Sequence, residues 1–209
     1  ISTGNHIWDQ RPIMNYIDSD PKLLRPLNFP EGTPGNGFGI YEARSGKKVM
    51  VINAMGRVYM DPLDDPFAAI EKVLSKVSLG LDVSAVLVDF HGEASSEKQA
   101  IGHVLDSRVS VVVGTHTHVP TADYRILPGG TAYQSDLGMT GDYNSVIGMQ
   151  KKAACGRFTT KLPQARLEPA TGEGTLCGLL IETDDQTGWA KSAAPLRVGG
   201  SLIATRPQV

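Results

Sequence analysis

Three short apolar runs separated by helical patterns constrain this chain more than any other feature. Lys48 to Ala54, Ala85 to Val88 and Ser110 to Val113 are dominated by β-branched and other apolar residues, the composition of strands covered on both faces. Between the first two, Asp64-Asp65-Pro66 offers a cap and a first-turn proline to a helix with Phe67, Ile70, Val73, Leu74 and Val77 on one face. Between the second and third, Ser95-Ser96-Glu97 opens a capped helix whose predicted buried stripe is Ala100, Ile101, Val104 and Leu105. Alternation at this spacing predicts an α/β (α+β) fold with parallel neighbouring strands. Ligands of such sheets collect beyond the carboxyl ends of the strands.

The flanking segments read differently. Asp9-Gln10-Arg11-Pro12 predicts a helix start with a carboxylate cap, followed by Ile13, Tyr16 and Ile17 at helical spacing. Asn28 to Gly39 is rich in proline and glycine and reads as an irregular loop. Pro128-Gly129-Gly130 between Tyr124 to Leu127 and Thr131 to Ser135 is a hairpin signal, and a helix is expected through Met149 to Phe158. Leu176 to Thr183 and Trp189 to Val198 form a terminal antiparallel hairpin, so the sheet structure is mixed. Thr205 to Val209 reads as a frayed tail.

At 209 residues one domain spanning 1–209 is the default. The net charge of −2 provides no basic field to hold a long nucleic acid, so a phosphorylated substrate should be small. No apolar run approaches the ~20 residues of a membrane helix. Cys155 and Cys177 lack metal-binding spacing, and two free thiols fit a reducing cytoplasm.

Four of the five histidines stand at predicted element ends. Gly114-Thr115-His116-Thr117-His118 follows the strand ending at Val113, and an i, i+2 pair continuing that strand would point both rings to one side. His91 follows another apolar run, and Gly4-Asn5-His6 precedes the first helical pattern. Neutral imidazole is the commonest protein metal ligand, so a metal is expected here. A single histidine taken alone is as often a hydrogen-bonded core or surface residue, and His103, inside the second helix, is read as structural.

These blocks carry a resemblance. Gly4-Asn5-His6, His91 after its strand and Gly114 to His118 resemble the later motifs of the calcineurin-like metallophosphoesterases. Gly4 to Asp9, Val51 to Pro66, Val88 to Glu97 and Val113 to Thr140 are similar to the branch of 2′,3′-cyclic-nucleotide 2′-phosphodiesterases. The resemblance implies a four-layer α-β-β-α sandwich and two divalent ions, iron or manganese foremost and zinc third. It implies that Asn5, His91 and His116 bind one ion, that His118 binds the other, and that His6 acts as the acid. The family's upstream ligands, an aspartate and a Glu-Asn pair, have no counterpart here. Ile1 is therefore expected to follow the first two strand-helix units, with the strands of Val51 to Asn53 or Val86 to Val88 bordering exposed apolar surface.

The implied reaction is hydrolysis of a small 2′,3′-cyclic nucleotide to the 3′-nucleotide, using a hydroxide between the metals. Two other readings stand beside it. A mononuclear zinc hydrolase or hydratase with His91, His116 and His118 as its ligands leaves Asn5 and His6 without a role. A catalytically idle regulatory scaffold, self-associating or not, is the third. Asp61, Asp64 and Asp65 are read as capping residues, Arg57 and Arg125 as ion-pair residues with phosphate contact the minority reading, and Gly138 to Gly141 as a turn.

Overall fold

The computed structural model describes residues 1–207. The predicted alternation is present: β2 (Lys48–Met55), α2 (Pro66–Leu74), β3 (Ala85–His91), α3 (Ser95–Val104) and β4 (Val111–Thr115) follow β1 (Phe38–Glu42) and a single helical turn, α1 (Ile13–Tyr16). After β4 come β5 (Arg125–Ile126), β6 (Ala132–Gln134), α4 (Lys151–Thr159), β7 (Leu176–Thr183) and β8 (Ala190–Val198). A six-stranded sheet runs in the order β1-β2-β3-β4-β6-β5, and β7 and β8 make a separate two-stranded sheet. The pairs β2–β3, β3–β4 and β4–β6 are parallel and the two outer pairs antiparallel. No described helix is long and apolar enough to cross a membrane.

One face of the six-stranded sheet holds the main core, where Met50, Ile52, Val86, Val88, Phe90 and Val112 meet Ile70, Val73 and Leu74 of α2 and Ile101 of α3. On the opposite face Val111, Val113 and Ala132 pack against Leu179, Ile181, Ala190 and Ala193 of the second sheet. A two-stranded hairpin is marginal alone, and polar ties fasten this one. Ala190 N donates to Gly130 O (2.8 Å), Trp189 Nε1 to Ser107 O (2.9 Å), and Ser110 Oγ to Gly188 O (2.6 Å). Helices α2 and α3, the six-stranded sheet and the two-stranded sheet thus stack in that order.

Several expectations need correction. Asp9 does not cap a helix: α1 begins at Ile13 with Pro12 ahead of it, and the Asp9 carboxylate turns to His6 instead. Phe38–Glu42, placed partly in the irregular loop, pairs antiparallel with β2, because the tight turn at Gly46 (φ 80°) folds it back along that strand. Asp65 does cap α2, accepting from Phe67 N and Ala68 N. The α3 stripe is rotated: Ala100 and Val104 are exposed, whereas Lys98, Ile101, Gly102 and Leu105 are buried. No side chain caps α3, since Glu97 instead accepts from Arg57 N and Val58 N after β2. β2 and β3 are interior strands with hydrogen-bonded neighbours on both sides, so neither borders an open sheet edge; Val49, Val51 and Leu87 are half-buried on the face away from the helices. Thr205 is not frayed: it exchanges backbone hydrogen bonds with Arg197 (2.8 and 2.9 Å). The end of that predicted tail, 208–209, lies outside the described residues.

Candidate metal centre

Parallel β3 and β4 end together, with His91 and Thr115 as Cα partners. His116 is the next residue, so two imidazoles reach the same sheet end from adjacent strands. The strand stops there. His116 (φ 110°) and His118 (φ 65°) both have left-handed backbones, and the pair is presented by a turn rather than by strand alternation.

The third contributor comes from the start of the chain. Leu24 N donates to Ile1 O (2.8 Å) and Thr3 N to Leu24 O (3.1 Å), while the Ser2 hydroxyl donates to Asp89 on β3. These ties lay Gly4-Asn5-His6 across the end of β3. The approach is close enough that a Cβ at Gly4 would stand 2.3 Å from the His91 ring, so only glycine fits.

Asn5 Oδ1 lies 2.8 Å from His91 Nε2, and His116 Nδ1 lies 3.2 Å from the same nitrogen. One set of tautomers satisfies the remaining partners together. Thr115 Oγ1 donates to Asp89 Oδ1 (2.8 Å), so its lone pair accepts from His91 Nδ1 (3.0 Å). His116 Nε2 donates to Glu93 Oε2 (3.1 Å). In neutral rings this leaves lone pairs on His91 Nε2 and His116 Nδ1, which lie 3.2 Å apart with the Asn5 oxygen 2.8 Å from the former. In that tautomer set three acceptors stand close together, an arrangement that a cation among them would satisfy. Donors ~2.1 Å from one ion at tetrahedral or octahedral angles stand about 3.0–3.4 Å apart; the 3.2 Å separation falls within that range and the 2.8 Å one just below it. Among the described residues no three His, Cys, Asp or Glu side chains surround one point, and the third polar atom beside the two imidazoles is the amide oxygen of Asn5.

Electrostatics favour the neutral rings. Burial, reinforced by the neighbouring His116, pushes His91 down to about 3, and burial also lowers His116 against the opposing pull of Glu93. Burial raises Asp89, with the Ser2 and Thr115 hydroxyls pulling it back down.

The other predicted residues are placed as follows. His118 does not join the three donors: its Nδ1 donates to Ile147 O (2.7 Å), which leaves Nε2 with a lone pair. His6 is exposed, and its Nδ1 lies 2.9 Å from Asp9 Oδ2. His103 stands exposed in the last turn of α3, outside the group. Arg57 pairs with Asp65 (3.4 Å), and Arg125 lies over the Tyr133 ring (4.9 Å), so both are engaged within the protein. Gly138 (φ 79°) has a left-handed backbone, but no turn is formed at Gly138 to Gly141, where Leu137 and Gly141 make isolated bridges instead. Sequence reasoning missed Thr115, Asp89, Glu93 and Asp9. The sequence signal for them was position alone, each lying within three residues of a proposed site residue.

Comparison with known proteins bears on the family and the fold. The family model described as "YmdB-like protein" matches residues 1–196. A Bacillus subtilis protein named 2′,3′-cyclic-nucleotide 2′-phosphodiesterase is 49% identical over 187 residues, 90% of this chain and 69% of that protein. A putative phosphatase/phosphodiesterase of Mycoplasma pneumoniae is 34% identical over 194 residues, 90% of this chain and 67% of that protein. Among solved structures, a hypothetical protein from Thermus thermophilus superposes with a TM-score of 0.84 at 42% identity, covering 96% of this chain and 76% of that one. A novel phosphatase of Mycoplasma pneumoniae gives 0.85 at 31% identity, covering 95% and 71%. With a family match reaching almost from end to end and the same fold in relatives this similar, the chain belongs to the YmdB-like protein family.

Proposed function

We propose that this chain carries a metal-dependent phosphodiesterase centre that opens 2′,3′-cyclic nucleotides to 3′-nucleotides. The gathering of Asn5 Oδ1 and His116 Nδ1 within 2.8 and 3.2 Å of His91 Nε2 carries the reading, and the name of the Bacillus relative supplies the substrate class. Asn5, His91 and His116 would hold one ion and His118, through Nε2, its neighbour. Bound divalent ions, iron or manganese foremost and zinc third, would neutralise phosphoryl charge and furnish hydroxide at neutral pH. All four ligands are neutral, so the site keeps its attraction for an anionic diester.

His6 is the proton donor in this reading. Expulsion of the ribose 2′ oxygen as a bare alkoxide is slow, and an imidazolium beside it removes that barrier. The Asp9 carboxylate accepts from Nδ1, which orients the ring and leaves Nε2–H for the substrate. Exposure of His6 suits a group that must meet a ligand arriving from solvent. Incubation of the protein with Mn²⁺ and 2′,3′-cyclic AMP, with chromatographic identification of the product, tests the reading. Formation of 3′-AMP is expected; 2′-AMP, or no turnover with any divalent ion, would overturn it.

A further inference from the structure

We propose that the buried Lys98–Asp136 ion pair is a positioning device for the His116-Thr117-His118 turn. The proposal rests on the metal-centre reading above, because it concerns how two of that centre's donors are aimed. Lys98 Nζ lies 2.8 Å from Asp136 Oδ2, and both side chains are 2% exposed. A pair this deeply buried needs every remaining valence satisfied, and its remaining partners point to its use. Asp136 Oδ2 also accepts from Thr117 N (2.9 Å), and Oδ1 accepts from Gly138 N (2.9 Å).

Thr117 is the residue between the two histidines. Its neighbours His116 (φ 110°) and His118 (φ 65°) occupy a backbone region that side-chain-bearing residues adopt only when their surroundings impose it. The carboxylate grips the Thr117 amide between them. It is itself immobilised: Asp136 N donates to Thr121 Oγ1 (3.0 Å), and Asp136 O accepts from Thr121 N (3.0 Å) and Gln134 Nε2 (2.9 Å). The counter-charge arrives from the other side. The Lys98 stem leaves α3 and passes Gly114, where a Cβ would stand 3.0 Å from Lys98 Cδ and 1.7 Å from Ser135 O. A bare Gly114 is thus what admits both the lysine stem and the chain leading to Asp136. The pair's net charge is zero, so it fixes the turn without adding a formal charge to the neutral-ligand site.

A buried pair could instead serve stability alone, and the test separates the two roles. Asp136→Asn is compared with Ile101→Val, which trims the core from the same helix. Three quantities are measured below each variant's melting temperature: Mn²⁺ affinity by calorimetry, exchange of the Thr117 amide proton, and the imidazole ¹⁵N resonances of His116 and His118. Asp136→Asn is expected to weaken Mn²⁺ binding about 10–100-fold, to speed Thr117 exchange at least about 10-fold relative to Ile101→Val, and to shift both imidazole signals. Ile101→Val should leave all three near wild type. Equal behaviour of the two variants at matched loss of melting temperature would overturn the proposal. If Asp136→Asn does not fold, Lys98→Arg is read in the same way; it keeps the charge but cannot place it at the same point, and unchanged affinity and exchange in that variant would overturn the proposal equally. Wild-type protein that binds no Mn²⁺ would instead sink the metal-centre reading, and amide exchange and ring resonances would still decide whether the pair positions the turn.

Discussion

Thr115 Oγ1 lies 3.0 Å from His91 Nδ1 across the β3–β4 pair, and donates its own hydrogen bond to Asp89. The hydroxyl thereby fixes which nitrogen of His91 carries hydrogen. Thr115→Val keeps the shape and removes the acceptor, so Nδ1–H loses its partner and the ring its orientation. Metal affinity should fall about 10–100-fold, the usual scale for outer partners of a histidine ligand, with the circular dichroism spectrum unchanged. Calorimetric titration with Mn²⁺ measures it; undiminished affinity would show that the ring is held by packing alone.

Removing His6 should separate binding from turnover. His6→Ala is expected to retain metal yet lose about 10²–10⁴-fold in kcat on 2′,3′-cyclic AMP, and far less on a nitrophenyl diester whose leaving group needs no proton. Asp9→Asn should follow the same pattern more weakly, since it loosens the ring without removing it. His116→Ala should abolish metal and both activities together. Metal content and paired kinetics distinguish these outcomes, and equal losses on both substrates for His6→Ala would rule out a general acid.

The strand-helix alternation was legible because apolar periodicity is a property of local sequence, and β2, β3, β4 and α2 emerged close to where it put them. The rotation of α3 was not. Lys98 counts as a surface residue in any hydropathy pattern, and only the distant Asp136 makes its burial tolerable. β1 was half-concealed in a glycine-rich stretch, its pairing decided by β2. Of the site, His91, His116 and Asn5 announced themselves by standing at strand ends or before a helix-like pattern. The left-handed turn holding His116 and His118 did not, because its cause is a carboxylate contributed from beyond β6.

Gly114→Ala should be among the most damaging small substitutions in the chain. The added Cβ would meet the Ser135 carbonyl oxygen at 1.7 Å, and backbone cannot yield as a flexible side chain would. We expect a loss of about 3 kcal/mol or more, seen as a lower urea midpoint with unchanged slope. A loss below about 1 kcal/mol would mean that β4 and β6 can separate at little cost.

Acid should weaken the metal-free protein partly through His91. Its folded ring stays neutral down to about 3, whereas an unfolded histidine takes a proton near 6.5. Between those values the unfolded chain binds more protons, so the contribution is fully present above about 6.5 and is lost as pH falls towards 3. Each unit corresponds to about 1.4 kcal/mol at most, and with partial solvation we expect a few kcal/mol in all. Asp89, raised by burial, acts in the opposite direction. Urea midpoints in chelator at pH 7.5 and 4.5 should therefore be compared between wild type and His91→Asn. The variant should lose less on acidification, and parallel losses would remove His91 as the cause.

The Cα pairing of His91 with Thr115 has one more consequence. Adjacent parallel strands keep a spacing of about 4.8 Å whatever their side chains, so the jaw formed by His91 and His116 takes its gauge from that backbone spacing together with the turn that Asp136 holds. The opposing jaw, Asn5, is a loop tethered through Ser2. Ions of different radius would thus be accommodated by sliding the Asn5 jaw while the histidine jaw stays fixed. Changes among the helix-facing core residues can make the molecule more or less durable without recalibrating its grip.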